Sequence, residues 1–97
     1  MTQARLYVVA YDISCPRRWR RVQKIVKSIC RRGQLSVFVC RATPARIEKL
    51  DRDLRHILHR SDDRLLIVDL GLAHTAEAQV KAMNPIADIA DLKAAVL

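Results

Sequence analysis

Three strand-length, predominantly apolar runs, at residues 6–11, 35–40 and 64–70, alternate with two amphipathic stretches, and few folds accommodate that order. The first run, LYVVAY, is wholly apolar and rich in β-branched and aromatic residues, and it suits a strand covered on at least one face. Asp12 ends it. Ser14-Cys15-Pro16 then reads as a helix start, with Ser14 as the capping hydroxyl and proline in the first turn, where its missing N–H costs nothing. At 100° per residue over 16–32, Trp19, Val22, Ile25, Val26, Ile29 and Cys30 share one face. Arg17, Arg20, Arg21, Lys24, Lys27, Arg31 and Arg32 cover the opposite one, with Arg18 at the boundary, and Gly33 stops the helix.

The pattern then repeats. LSVFVC at 35–40 is a second strand, and Thr43-Pro44 opens a second helix whose stripe is Ile47, Leu50, Leu54, Ile57 and Leu58. A turn at 61–63 leads to a buried strand at 64–70, ended by Gly71. Residues 78–83 suit a short edge strand, Asn84-Pro85 breaks it, and 86–97 fit helix, tail or strand.

Two glycines and three prolines leave little room for linkers, so residues 1–97 form one domain with its core at about 4–72. The expected class is α+β: a ferredoxin-like βαββαβ sheet with both helices on one face. That fold needs two strands between its helices, and only 34–42 is available, so one of them must be very short. A chain of this size buries only about two thirds of its unfolded surface, which makes a homodimer plausible.

Charge divides the chain in half. Residues 13–47 hold ten Lys or Arg and no acid, whereas 48–97 hold nine acids against seven bases, within a net charge of +8 and a pI near 10.1. A field so concentrated points to a phosphate polyanion, the alternative being a solvated face that aids solubility. Arg outnumbers Lys, which favours bidentate phosphate contacts, and only four aromatic residues are present, so backbone contact rather than sequence readout is expected. Cys15, Cys30 and Cys40 have neither zinc nor disulfide spacing and fit a reducing cytoplasm. No leader or membrane-length apolar run is present, so no membrane partner is expected.

Asp12 is the only acid among the first 47 residues and stands at the end of a buried strand. Mg²⁺ or Mn²⁺ takes one or two carboxylates, keeps several waters and shares phosphate oxygens, so two Asp12 side chains meeting across a dimer axis would make a site. Equally, a strand-end Asp bonds the amides of the following turn. His56, His59 and His74 read as surface residues, and Asp62, Asp63 and Asp69 as turn and strand-end acids.

Tyr11-Asp12-Ile13-Ser14, the basic first helix, Ser36-Val37-Phe38-Val39-Cys40 and the run at 63–71 together resemble the CRISPR-associated Cas-two family, over residues 5–71. The resemblance implies a cytoplasmic ferredoxin-like homodimer of the bacterial adaptation machinery. It also implies duplex DNA binding beside the Cas-one integrase and metal-dependent cleavage of DNA or RNA, with Asp12 as the Mg²⁺ or Mn²⁺ ligand. Nucleic acid would lie on Arg17, Arg18, Arg20, Arg21, Lys24, Lys27 and Arg31. In this family a C-terminal strand or tail pairs with the partner's sheet, a role for 78–83, and the dimer interface is expected at Tyr11, Ser36, Phe38, Val80 and Met83. One departure is the connection Gly33-Gln34-Leu35-Ser36, shorter than the family's usual one, which leaves the register of the second strand open. Two functions remain: a Mg²⁺-dependent phosphodiesterase, or a non-catalytic scaffold that binds duplex DNA and the integrase.

Overall fold

The computed structural model describes residues 3–34 and 37–81, and not the side chains of 31–34. Its elements are β1 (Arg5–Asp12), α1 (Pro16–Ile29), β2 (Arg31–Gln34), β3 (Val37–Ala42), α2 (Pro44–Ile57), β4 (Arg64–Leu72) and the single turn α3 (Ala73–Ala76), which runs into a 3₁₀ turn at Glu77–Gln79. The four strands form one antiparallel sheet in the order β2-β3-β1-β4, the ferredoxin-like arrangement.

Period-two alternation in β1 sets the two faces of this sheet. Tyr7, Val9 and Tyr11 turn inward and meet Phe38 and Cys40 of β3, Val22 and Val26 of α1, and Ile47, Leu50 and Leu54 of α2 in one buried cluster. Both helices therefore cover the same face. Tyr11 and Phe38 lie at its centre with their rings stacked 5.8 Å apart. They are 5% and 0% exposed and packed under the helices within this chain, whereas the sequence suggested them for a dimer interface. Ser36 and Met83 lie outside the described residues.

The connection between the helices resolves differently from the sequence reading. α1 stops at Ile29, not at Arg32, and Cys30 is already extended at φ −122° and ψ 156°. β2 is thus taken from residues that read as the last helical turn, and Arg31 stands on a strand rather than on the basic helix. Pairing of Arg31 with Val39 and Arg32 with Phe38 outweighs the local helical pattern, because the backbone of β3 needs a partner on that side. The Cys40 thiol donates to the Ile29 carbonyl at 3.3 Å, satisfying one of the acceptors left open by the helix end. Hydrogen bonding to Cys40, then burial, pushes the Cys30 thiol far up. It is held neutral as a core residue.

Neither helix start uses a side-chain cap. Cys15 and Thr43 are the N-cap residues, each with Pro at the first helical position, and Ser14 is not the capping hydroxyl. At the far end of the sheet, register between β1 and β4 slips by one residue between Leu6 and Tyr7, and Gly71 takes a φ of +107° that disfavours any side chain. The Asp69 carboxylate braces this bulge, accepting from the Gly71 amide at 2.9 Å and from Arg5 Nε at 2.9 and 3.1 Å.

Residues 78–83 were expected as an edge strand. In the structure Ala78 and Gln79 belong to the 3₁₀ turn, and Val80 packs on Leu6, Val39 and Ala76, on the sheet face opposite α1 and α2. A buried Glu77 carboxylate accepting from Arg41 at 3.1 Å pins this turn to its own sheet. Residues 82–97 lie outside the described residues.

Candidate functional site

Asp12 closes β1 on the face of Val8 and Ala10, away from the helices, with Arg64 as its register partner on β4. It is exposed, and with Ala10, Tyr11, Arg64, Leu65 and Leu66 it lines an open depression of about 230 Å³. Among the described residues no hydrogen bond or ion pair engages its carboxylate. The alternative role, bonding the turn amides that follow β1, falls to another acid.

That acid is Asp63. Its side chain is 0% exposed and accepts from the Ser14 amide at 3.3 Å, the His59 amide at 2.7 Å, and Arg18 through Nε at 2.7 Å and Nη2 at 3.2 Å. The β1–α1 turn, the first turn of α1 and the chain just beyond α2 are thereby tied to one carboxylate. The Arg18 guanidinium, then the two backbone amides, lower its pKa from 3.8 to about 2, against the opposing effect of desolvation. The same bond raises the pKa of Arg18. Arg18, expected on the nucleic-acid surface, is half-buried with its guanidinium committed to Asp63. The sequence signal for Asp63 was available: a two-acid turn directly before the strand whose first residue faces Asp12.

Arg17, Arg20, Arg21, Lys24 and Lys27 are all exposed on α1, and none of them lines the depression that holds Asp12. Backbone amides at the start of this helix also lower the pKa of the Cys15 thiol, with those of Arg18 and Arg17 the largest causes. The amino end of α1 is thus electropositive from its backbone as well as its side chains.

A second feature was missed in the sequence. Leu66 and Val68 of β4 face the same side as Ala10 and Val8, and they are 58% and 37% exposed. Leu70 and Leu72 continue along the strand at 42% and 39%. Among the described residues, α3 and its 3₁₀ turn cover only the Leu6 end of this face. The clue was that residues 65–68 are apolar at both parities, Leu65 and Ile67 inward, Leu66 and Val68 outward.

What the described residues could offer a divalent cation is limited. No group of three or more His, Cys, Asp or Glu side chains gathers among them. Asp12 presents one hard, exposed carboxylate, which fits half of a Mg²⁺ or Mn²⁺ site and would need a second ligand from another chain. No helix among the described residues is long and apolar enough to cross a membrane.

A family model described as CRISPR associated protein Cas2 matches residues 5–77. The CRISPR-associated endoribonuclease Cas2 of Geobacter sulfurreducens is 39% identical over 81% of this chain and 83% of its own length. The CRISPR-associated endoribonuclease Cas2 1 of Rhodospirillum rubrum is 40% identical over 80% and 76%. Among solved structures, Cas2 of Streptococcus pyogenes superposes with a TM-score of 0.69 at 26% identity, over 81% of this chain and 99% of that one. A hypothetical protein from Thermus thermophilus superposes at 0.65 with 39% identity, over 68% and 80%. Family model, relatives and shared fold agree, and the chain belongs to the CRISPR-associated Cas2 family.

Proposed function

We propose that this protein is a divalent-metal-dependent endonuclease, acting as a homodimer on RNA or DNA in the acquisition of CRISPR spacers beside the Cas-one integrase. The observation that carries this reading is the exposed Asp12 carboxylate at the rim of an apolar sheet face that the described elements leave largely exposed. Burial of Leu66, Val68 and their neighbours against a second copy would bring two such carboxylates toward one axis. Two facing carboxylates repel unless a cation lies between them. When bound there, Mg²⁺ or Mn²⁺ supplies an activated water and charge stabilisation at the phosphate. The chain's own part is to hold the carboxylates and to present cationic side chains to the strand. The names of the relatives, endoribonucleases of Geobacter and Rhodospirillum, support the nuclease reading.

One observation favours the scaffold reading for duplex DNA. The exposed cations of α1 lie in the helix layer, whereas Asp12 opens on the other face of the sheet, so a duplex lying on α1 is not thereby delivered to Asp12.

Two tests address assembly and binding. Leu66→Lys places a charge in the middle of the apolar face without touching the helix-side core, and light scattering is expected to show a monomer that still melts cooperatively. A Leu66→Lys dimer would move the interface elsewhere. For binding, each phosphate contact contributes a slope of about −0.9 in log K against log[salt]. Replacing Arg17, Arg20 and Arg21 with Ala is expected to flatten the measured slope by about one to three units, equally for unrelated duplexes. An unchanged slope would put the nucleic acid off α1.

A further inference from the structure

Trp19 is the only tryptophan in the chain and is half-buried. Part of it packs on the core under α1, and it also lines an open groove of about 330 Å³ with Arg20, Gln23, Lys24 and Lys27. Trp19, Gln23 and Lys27 are four residues apart and so stack along one line of the helix, with Arg20 and Lys24 beside them. Gln23 is half-buried, and its Oε1 is buried without a hydrogen-bond partner among the described residues. An unsatisfied amide oxygen is costly, and rotation of the side chain toward the groove would let a donor there satisfy it. No acidic residue occurs between 13 and 47 to oppose an anion on this helix.

We infer that this groove receives one unpaired nucleobase. The indole of Trp19 stacks on it, the Gln23 amide meets its hydrogen-bonding edge, and Arg20, Lys24 and Lys27 hold the flanking phosphates. Its volume falls in the range of small-ligand pockets, roughly 300–1,000 Å³. In a duplex the base faces are already stacked and the pairing edges occupied, so only a single strand, a frayed end or a bulge presents a free base. α1 would therefore separate two modes: backbone contact with any duplex through its exposed arginines, and an added stacking contact with unpaired strands. This inference rests on the reading of α1 as the nucleic-acid surface.

Because Trp19 is the sole tryptophan, indole fluorescence reports on this groove alone. A single-stranded oligoadenylate is expected to quench it saturably, whereas a blunt RNA duplex of equal length, bound to the same extent by anisotropy, leaves it nearly unchanged. Trp19→Ala is expected to weaken oligoadenylate binding about tenfold and duplex binding little. Trp19→Phe, which keeps a ring and most of the core packing, is expected to recover most of the loss. Should Trp19→Ala fail to fold, Gln23→Ala at the same groove carries the test, with a severalfold loss confined to the single strand. Oligoadenylate bound without quenching, quenching by the duplex as strong as by the single strand, or equal losses for both ligands in these variants would overturn the inference. If the triple Ala variant of Arg17, Arg20 and Arg21 instead leaves every affinity and salt slope unchanged, the binding role of α1 itself has failed, and the groove assignment with it.

Discussion

Asp63→Asn is expected to lower stability at neutral pH by about 1–2 kcal/mol, after allowance for solvent near this cluster, and the melting temperature by roughly 4–16 °C. Asn keeps the shape of Asp but offers one acceptor oxygen where the native side chain offers two, and it carries no charge for Arg18. Of the Ser14 amide, the His59 amide and the Arg18 guanidinium, at least one then loses its bond. The pH dependence is specific. Asp63 titrates at about 2 in the folded chain against 3.8 when unperturbed. Its contribution is therefore complete above pH 4 and disappears as pH falls through about 2. Urea unfolding of native and variant chains should show a gap at pH 7 that narrows below pH 4 and closes near pH 2. A gap independent of pH would mean that packing, not charge, accounts for the loss.

Much of the architecture was legible because it rests on local periodicity. The apolar run ending at Asp12 is β1 and the stripe from Ile47 to Ile57 is the buried face of α2, whereas β4 passes through Gly71 to Leu72 instead of ending at the glycine. What escaped depends on pairing and on which faces are covered. Residues 30–32 continue the amphipathic pattern of α1, and nothing local reveals that β3 will claim them as a strand. Tyr11 and Phe38 belong to the motifs that carry the family resemblance, yet their parity with Val9 turns them under the helices. Alternation tells which residues share a face, but not whether a helix or a second molecule lies over it.

The candidate site divides along the same line. Asp12 was found because a single acid in a basic half stands out, and the exposed α1 cations followed from the helical period. Arg18 and Asp63 lie 45 residues apart in sequence, so their pairing arises only when the start of β4 is laid beside the end of β1. One guanidinium of the basic helix is thus engaged in holding the Asp12 turn in place.

Asp12→Asn is expected to abolish metal-dependent cleavage while leaving the fold, the dimer and duplex binding intact. Asn retains the size of Asp and an acceptor oxygen but lacks the charge a hard divalent cation requires. The side chain is exposed and makes no hydrogen bond or ion pair among the described residues, so its replacement removes no internal contact there. If two Asp12 carboxylates face each other in a dimer as proposed, neutralising them should leave the metal-free dimer no less stable and its melting temperature unresponsive to Mn²⁺. The decisive measurement is cleavage of labelled RNA and duplex DNA by native and Asp12→Asn protein, each with Mg²⁺, Mn²⁺ or EDTA, beside a binding titration. Weak cleavage by the native chain that needs the metal, and that falls to the EDTA background in the variant at undiminished binding, is the predicted result. Equal cleavage by both proteins would exclude Asp12 as the metal ligand, and no cleavage by the native chain under any of these conditions would leave a scaffold rather than an enzyme.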